Sequence, residues 1–177
     1  MPRLLLPLLC AAVLLTGCGR TTGTAAEAPE QLPVPVGAQR AVVVRHTDGD
    51  TFWLRGVGVG PVPARRTKVR LLEVDTPEVF GTPGCFGHEA SLRTAALLPI
   101  GAQVRVEADQ EPRDRYGRLL LYVWTPAGAS LEEELLREGY ARVLYVRPNH
   151  RHLDVLREVQ AQARRAGRGL WSACPRT

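Results

Sequence analysis

The chain has 177 residues, of which 45% are hydrophobic and 23% are charged. These values exclude a fibrous or wholly disordered protein, and they fit one globular domain with short appendages. The formal net charge is +5, and a basic balance attracts polyanions, so it slightly favours nucleic acid as a partner. Lys68 is the single lysine beside 22 arginines, a bias better explained by coding composition than by phosphate binding.

The first seventeen residues have the features of a secretory signal peptide. Arg3 precedes the apolar run Leu4–Leu15, which is shorter than the roughly 20 residues that a bilayer span requires. The run ends in Leu-Thr-Gly-Cys, which resembles the bacterial lipobox, in which the cysteine is lipidated and becomes the first mature residue. We therefore predict a lipid anchor at Cys18, on the outer face of the bacterial cell membrane. An ordinary signal peptide cut near Gly17, which would release a secreted protein, is the alternative.

Residues 18–38 are predicted to be the lipidated cysteine and a flexible tether, because they are rich in Thr, Ala, Pro and Glu and show no apolar periodicity. The domain is expected to span 39–174, with 175–177 as a tail. Cys85 and Cys174 remain after export, and two cysteines in an oxidising compartment most often pair, although two buried thiols are the alternative. The spacing of Cys and His does not match a structural zinc site.

Strand signals dominate the first half of the domain and helix signals the second. Asp48-Gly49 is a strong hairpin signal between the first two strands, and the Gly- and Pro-rich segment 56–66 indicates a loop. Strands are predicted at residues 41–44, 51–54, 68–74, 103–108 and 119–124. Helices are predicted at 89–98, from a Ser130/Glu133 capping box to Gly139, and at 153–166. This order indicates an α+β, mainly β, protein: a five-stranded barrel of the OB type with about three helices packed outside.

Oxygen ligands for a hard cation are predicted at the ends of two strands. Asp50 lies at the mouth of the first hairpin, Asp75 ends the third strand, and Thr76 can offer its carbonyl. Calcium and magnesium prefer such oxygen ligands and complete their shells with water or substrate. The alternatives are that Asp48 and Asp50 only form the turn, and that Asp75 only caps its strand.

Two arginines complete the set of groups that phosphodiester hydrolysis requires. Arg70 and Arg118 can each fork onto phosphate oxygens, and Glu78 is placed to act on a water near the cation. Arg70 and Asp75 differ by five positions, so a flat strand would point them to opposite faces, and one shared site requires a bulge or coil. The alternatives are a structural Arg70–Asp75 ion pair, a surface charge at Glu78 and a solvent-facing Arg118.

Three motifs resemble those of the staphylococcal-nuclease (thermonuclease) family. They are Asp-Gly-Asp-Thr at 48–51, the run from 70 to 78, and Asp-Arg-Tyr-Gly-Arg at 114–118, with further likeness at 144–146 and 169–172. The likeness covers about residues 40–173. It implies an OB barrel with three helices that hydrolyses DNA and RNA with Ca²⁺, with little sequence specificity, and leaves 3′-phosphates.

The resemblance also implies residue roles. The calcium ligands would be Asp50, Asp75 and the Thr76 carbonyl; the general base would be Glu78; the phosphate would be bound by Arg70 and Arg118; and Arg115, Tyr116 and Tyr145 would contact the nucleotide. Two features depart from the best-known family member. Arg147 stands where that protein has a second nucleotide-contacting tyrosine. A phosphate contact or a cation–π contact would replace base stacking at this position. The loop from Glu78 to Glu89 is about three residues shorter and carries Cys85.

The expected protein is therefore an exported, monomeric, Ca²⁺-dependent endonuclease acting on DNA and RNA. The alternative is a noncatalytic OB module that binds nucleic acid or protein. That alternative predicts a damaged set of carboxylates and arginines, whereas every member of the set is present. A small-molecule phosphodiesterase is a third possibility, but a basic open barrel suits a polymer better.

Overall fold

The computed structural model describes residues 31–175. The predicted signal peptide, the lipidation site Cys18 and most of the tether therefore lie outside the described residues. The strands are β1 (Gln39–His46), β2 (Thr51–Val57), β3 (Thr67–Leu71), β4 (Val74–Asp75), β5 (Gln103–Arg113), β6 (Leu119–Trp124) and β7 (Arg142–Val143). The helices are α1 (Gly87–Leu97), α2 (Leu131–Arg137), α3 (Leu153–Arg165) and α4 (Leu170–Ala173).

Five strands close into a barrel in the order β1-β2-β3-β6-β5, with β3 and β6 parallel and the other pairs antiparallel. Alternate residues of each strand point inward, as the two-residue period of a strand requires. Val43, Phe52, Leu54, Leu71 and Leu121 are all at most 2% exposed and belong to one core cluster. The predicted mainly β, OB-type barrel is confirmed, and β1, β2 and β5 extend beyond the predicted spans.

The third predicted strand, residues 68–74, is wrong as a continuous element. β3 ends at Leu71, the chain bends through Leu72 and Glu73, and Glu73 takes a left-handed φ of 58°. Leu72 packs outside the barrel in a small cluster around Trp124, whereas Leu71 points into the core. After the bend, β4 pairs with β7 as a separate two-stranded sheet. The required break between Arg70 and Asp75 is therefore present as a sharp bend.

The three predicted helices are confirmed, and α4 adds one short turn that the sequence analysis did not identify. Only one of the two hydrogen bonds of the capping box at α2 forms. Ser130 Oγ accepts the Glu133 N–H at 3.3 Å, but the Glu133 carboxylate accepts the N–H of Leu32 at 2.8 Å. Trp124 Nε1 also donates to the Leu32 carbonyl at 3.0 Å. Leu32, which the sequence analysis assigned to the tether, is thus bound to the domain.

A disulfide joins two distant segments outside the barrel. Cys85 and Cys174, the predicted pair, are bonded with an S–S distance of 2.13 Å and a Cα–Cα distance of 5.8 Å. This bond ties the loop before α1 to the end of α4.

Over residues 31–175, none of the helices has both the length and the apolar character needed to cross a membrane.

Candidate active site

The loop between β1 and β2 separates the roles of its two aspartates. Asp48 Oδ1 accepts the N–H groups of Asp50 at 3.1 Å and Thr51 at 2.7 Å, so Asp48 forms the turn. Burial, together with the nearby charge of Asp50, raises the pKa of Asp48 to about 6. Asp50 is instead buried at the lip of the barrel, where its Oδ2 accepts the Thr76 N–H at 2.8 Å and the Thr76 hydroxyl at 3.0 Å.

Arg70 connects the two aspartates of the predicted metal site. Its Nε lies 3.0 Å from Asp50 Oδ1, and its Nη2 lies 2.7 Å from Asp75 Oδ1. Its Nη1 donates to the carbonyls of Leu71 at 2.7 Å and Val74 at 2.6 Å, so the bend itself wraps around the guanidinium. Three of the five N–H groups of this arginine thus donate hydrogen bonds, and Nε lies within ion-pair distance of Asp50, which leaves one N–H on Nη2.

Asp75 is the open carboxylate of the cluster, with 53% of its side chain exposed. Its Oδ2 accepts no hydrogen bond from residues 31–175. Burial of part of the group raises the pKa of Asp75; Arg70 opposes that rise, and the negative charges of Asp50 and Glu78 add to it. The carboxylate charge at this position is therefore incompletely balanced by the protein.

Arg118 is held at the opposite side of the cleft by Asp114. Asp114 Oδ2 accepts from Arg118 Nε at 2.6 Å, and Oδ1 accepts the main-chain N–H groups of Tyr116 at 3.0 Å and Arg118 at 2.9 Å. Burial alone would raise the pKa of Asp114, but these bonds and the charge of Arg118 lower it. Arg118 Nη1 reaches the Thr51 hydroxyl at 3.5 Å, and that hydroxyl donates to Asp50 at 3.1 Å. Thr51 therefore links both arginines through Asp50.

These groups share one open cleft of about 640 Å³. The predicted site residues that line it are Asp50, Arg70, Asp75, Glu78, Arg115, Tyr116 and Arg118. Thr76 lies behind Asp50 rather than on the lining. Tyr145 is 41% exposed and does not line the cleft, whereas its neighbours Leu144, Val146 and Arg147 do. The structure thus assembles the predicted site from the three motifs at 48–51, 70–78 and 114–118, with Tyr145 outside the lining.

The donors suit a hard cation in their chemistry. Within residues 31–175 there is no cluster of three or more His, Cys, Asp or Glu side chains arranged to hold a metal ion. Two aspartate carboxylates nevertheless meet beside the cleft, and one has an oxygen without a donor and a raised pKa. A cation there would compete with Arg70 for both carboxylates, and it would balance charge that the arginine leaves uncompensated.

Two positioning residues were not identified from the sequence. Asp114 fixes Arg118, and Thr51 joins Arg118 to Asp50. The signal for Asp114 was present, since an aspartate four residues before an arginine in a tight turn can cap the turn and pair with the side chain. Thr51 belongs to the Asp-Gly-Asp-Thr motif at 48–51, but the motif does not reveal this role, because the role depends on contact with a residue 67 positions away.

An OB barrel with carboxylates and partly unpaired guanidinium groups on one cleft is the arrangement expected of an OB-barrel nuclease. A family described as staphylococcal nuclease homologue matches residues 68–173. The chain belongs to the staphylococcal nuclease family. It is therefore a nuclease, and the noncatalytic alternative is set aside.

Relatives named as nucleases share much of the sequence. The thermonuclease of Staphylococcus hyicus is 36% identical over 133 residues, which are 73% of this chain and 74% of that protein. Endonuclease YncB of Bacillus subtilis (strain 168) is 38% identical over 133 residues, 72% of this chain and 59% of that protein. Endonuclease YhcR of the same strain is 31% identical over 156 residues, 81% of this chain but only 12% of that protein.

Proposed function

We propose that this nuclease is a calcium-dependent endonuclease that cleaves DNA and RNA with little sequence specificity. The observation that supports it most is the meeting of Asp50, Asp75, Arg70 and Arg118 on one cleft. Cleavage of a phosphodiester requires that charge developing on the phosphate be neutralised and that a water be activated. Carboxylates for a cation and guanidiniums for the phosphate meet the first requirement, and an exposed glutamate meets the second.

Asp50, Asp75 and the carbonyl of Thr76 are proposed to hold Ca²⁺. The bound ion would supply positive charge close to the phosphate and a position for a water. Asp50 is fixed for this role by Thr51 and Thr76, which donate to its two oxygens. Asp75 contributes the carboxylate with an oxygen free of protein donors. A cation held by these carboxylates would balance charge that now pairs with Arg70, so that the guanidinium would be available to the phosphate.

Arg118, Arg70 and Glu78 are proposed to perform the chemistry. Arg118 keeps its Nη2 free of protein acceptors in residues 31–175, and Asp114 orients its fork toward the cleft. Arg70 adds a second guanidinium beside the same phosphate. Glu78 is exposed on the rim and lines the cleft, where it would accept a proton from the attacking water. The water oxygen would form a bond to phosphorus while its proton passes to the Glu78 carboxylate. The bond between phosphorus and the leaving ester oxygen would break, and that oxygen would take up a proton from solvent.

Arg115 and Tyr116 are proposed to contact the nucleotide beside the scissile phosphate. Tyr116 is 68% exposed, and the Arg115 guanidinium lies 4.8 Å from the centre of its ring. An exposed ring of this kind can stack on any base, which suits cleavage without sequence preference. Tyr145, which is 41% exposed and lies between residues that line the cleft, is proposed to contact the nucleotide at the edge of the site. Arg147, which does line the cleft, is proposed to contact phosphate.

Location and assembly are proposed from the sequence. A lipid at Cys18 would anchor the nuclease to the outer face of the cell membrane, with secretion as the alternative, and the domain would act as a monomer. The test of the anchor is mass spectrometry of the exported protein. A diacylated Cys18 supports the anchor, and an unmodified soluble protein contradicts it.

The test of the activity uses the purified domain with single-stranded DNA and with RNA. Cleavage of both polymers is expected with Ca²⁺, none with an excess of chelator, and recovery when Ca²⁺ is added back. Asp50→Asn is the matched variant, since it removes one ligand charge and keeps the size of the side chain. Full activity in chelator, or an unchanged calcium requirement in this variant, would contradict the proposed ion site.

A further inference from the structure

A second basic cavity lies beside the active-site cleft. It has a volume of about 640 Å³ and is bordered by Arg142 of β7, Arg164 of α3 and Trp171 of α4. We infer that this cavity is a phosphate subsite for the nucleic-acid strand, which leaves the cleft past Asp75 and continues to Arg142 and Arg164. The inference rests on the proposed function, because it extends the path of the same substrate.

The pairing of β4 with β7 joins the two cavities. Asp75 and Arg142 are direct partners across this two-stranded sheet. Side chains of directly opposite residues leave a sheet on the same face, with Cβ atoms about 5 Å apart. Asp75 lines the first cavity and Arg142 lines the second. A strand whose phosphate lies near Asp75 therefore reaches Arg142 without crossing the body of the domain.

Two guanidiniums in the second cavity share one aromatic ring. The Arg142 guanidinium carbon lies 4.5 Å from the centre of a Trp171 ring, and that of Arg164 lies 5.6 Å from it. Neither arginine forms a salt bridge within residues 31–175. Arg165, a third arginine that lines the cavity, is paired with Glu158 at 3.1 Å, and Arg157, on the same helix but outside the cavity, is paired with Asp154 at 3.3 Å.

This difference matters because a guanidinium that is not paired with a carboxylate is available to bind an anion. Within residues 31–175, Arg142 and Arg164 form no salt bridge with any carboxylate, including Asp75 across the sheet, and phosphate is the anion that a guanidinium fork matches best. The indole Nε1 of Trp171 is also buried without a hydrogen-bond acceptor among the described residues. That nitrogen has almost no exposed surface, so the cavity offers a phosphate the two guanidiniums rather than the indole donor.

The walls of this cavity are held in place by contacts that do not use the two arginines. Gln160 Oε1 accepts the Val143 N–H at 2.7 Å, which fixes β7 against α3. Leu170 is 2% exposed, and Cys174 is bonded to Cys85. The subsite is therefore largely pre-formed, so that binding requires little reorganisation.

The experiment measures binding to single-stranded DNA of about 12 nucleotides, a length within the range that one OB fold covers. Fluorescence anisotropy is recorded over a salt series in the Glu78→Gln background, so that the substrate survives. Arg164→Gln is expected to weaken binding several-fold and to reduce the slope of log K against log salt by about 0.7, the value for one phosphate contact on a single strand. Arg142→Gln should do the same.

Arg157→Gln is the matched control, because it removes the same charge from the same helix at a position that is ion-paired and outside both cavities. Its salt slope should remain that of the parent. Arg164→Lys, which keeps the charge, should keep most of the slope. Thermal unfolding of each variant separates loss of the subsite from loss of the fold.

Three outcomes would overturn the subsite. One is an equal change in slope for Arg164→Gln and Arg157→Gln. Another is a loss of affinity in Arg164→Gln that is equal for the oligonucleotide and for a dinucleotide. A contact with a distant phosphate should affect only the longer ligand. The third is that Arg164→Gln loses binding to phosphatidylglycerol vesicles but still binds the oligonucleotide as the parent does. That result would assign the arginines to a lipid headgroup. Binding is measured without turnover, so a failure of the proposed calcium chemistry would leave this result readable.

Discussion

Thr76 holds the carboxylate of Asp50 through two separate donors, its main-chain N–H at 2.8 Å and its hydroxyl at 3.0 Å. The two residues lie 26 positions apart, at the end of β4 and in the loop before β2. The contact joins the two segments that carry the proposed calcium ligands. Thr76 thus has a positioning role that is separate from the role proposed for its carbonyl.

Thr76→Val tests that positioning role, because valine keeps the main-chain N–H and carbonyl and removes only the hydroxyl. One hydrogen bond to a charged group is lost, so the free energy of unfolding should fall by about 1.5 to 3 kcal/mol. The calcium affinity should also fall, whereas Thr76→Ser should behave like the parent. Urea unfolding and a calcium titration check this. If the valine variant bound calcium with normal affinity, the Thr76 hydroxyl would have no role in the calcium site, and only the role of the carbonyl would remain.

The two arginines should respond differently to replacement by lysine. Arg118→Lys should reduce kcat by two or more orders of magnitude, since an arginine that stabilises transition-state charge contributes about 10³ to 10⁵ in other phosphoryl transfers. Its effect on stability should be small, because its guanidinium is partly exposed. Arg70→Lys should reduce both kcat and stability, because Arg70 is 8% exposed and bound to two carboxylates and two carbonyls.

Steady-state kinetics on single-stranded DNA and urea unfolding separate these two effects. Arg113→Lys is a suitable comparison, since Arg113 lines the same cleft but has no proposed contact with the scissile phosphate. Normal kcat in Arg118→Lys would remove this residue from the proposed chemistry. Equal stability losses in both variants would contradict the difference in their contacts.

The disulfide is expected to support the loop that follows Glu78. Gly84, next to Cys85, donates its N–H to the Glu78 carbonyl at 2.9 Å, while most residues of the loop between them are exposed. Cys174→Ser should therefore lower kcat more than it changes KM. Opening a bridge that spans 89 positions should also lower the free energy of unfolding, by about 4 to 5 kcal/mol in the chain-entropy treatment.

The double variant Cys85→Ser/Cys174→Ser distinguishes the lost bond from a stray thiol, because it leaves neither cysteine. Kinetics are measured well below the unfolding transition, with circular dichroism to verify the fold. If the double variant retained the full kcat, Glu78 would be held by its own loop and not by the bridge.

Glu132 should make stability depend on pH. Burial raises the pKa of Glu132 to about 8 from a usual value near 4.5, so the folded state binds this proton more tightly than the unfolded state. The resulting stabilisation is complete below the unfolded pKa and is lost as the pH rises through the folded pKa. The free energy of unfolding should therefore decrease between pH 5 and pH 8, in chelator.

Glu132→Gln is the matched variant, since the amide oxygen can accept the Val123 N–H and the amide nitrogen can donate to the Ser130 hydroxyl oxygen, which both lie 3.1 Å from the Glu132 carboxylate. It should flatten the pH dependence and be more stable than the parent at pH 8. Urea unfolding at both pH values measures this. A parent and variant with parallel pH curves would assign the dependence to other groups.

Much of the barrel could be predicted from local patterns, because strand alternation and turn residues are local signals. The bend at Glu73 could not, since a glutamate at positive φ is unfavourable in isolation and is imposed here by packing around Arg70. β7 and α4 have two and four residues, too few to show a period. Arg142 and Trp171 are brought together only by the closed fold.

Part of the candidate site could be predicted, because several of its residues lie in local sequence motifs. Asp50, Arg70 and Asp75 lie in motifs whose order and spacing carry the resemblance, and the structure places them in one cluster. Tyr145 follows the same resemblance but does not line the cleft, whereas Leu144 and Val146 on either side of it do. The orientation of a side chain in an irregular segment depends on distant contacts, which a motif does not contain.

The central claim is that a calcium ion and two guanidiniums act on one phosphate, and coupled binding tests it most directly. Calcium is titrated into the Glu78→Gln variant with and without a single-stranded oligonucleotide, by calorimetry. The account predicts that the oligonucleotide raises the calcium affinity and that calcium raises the oligonucleotide affinity by the same factor. Arg118→Lys in this background should reduce that factor. Calcium and oligonucleotide binding that are independent of each other would contradict the account.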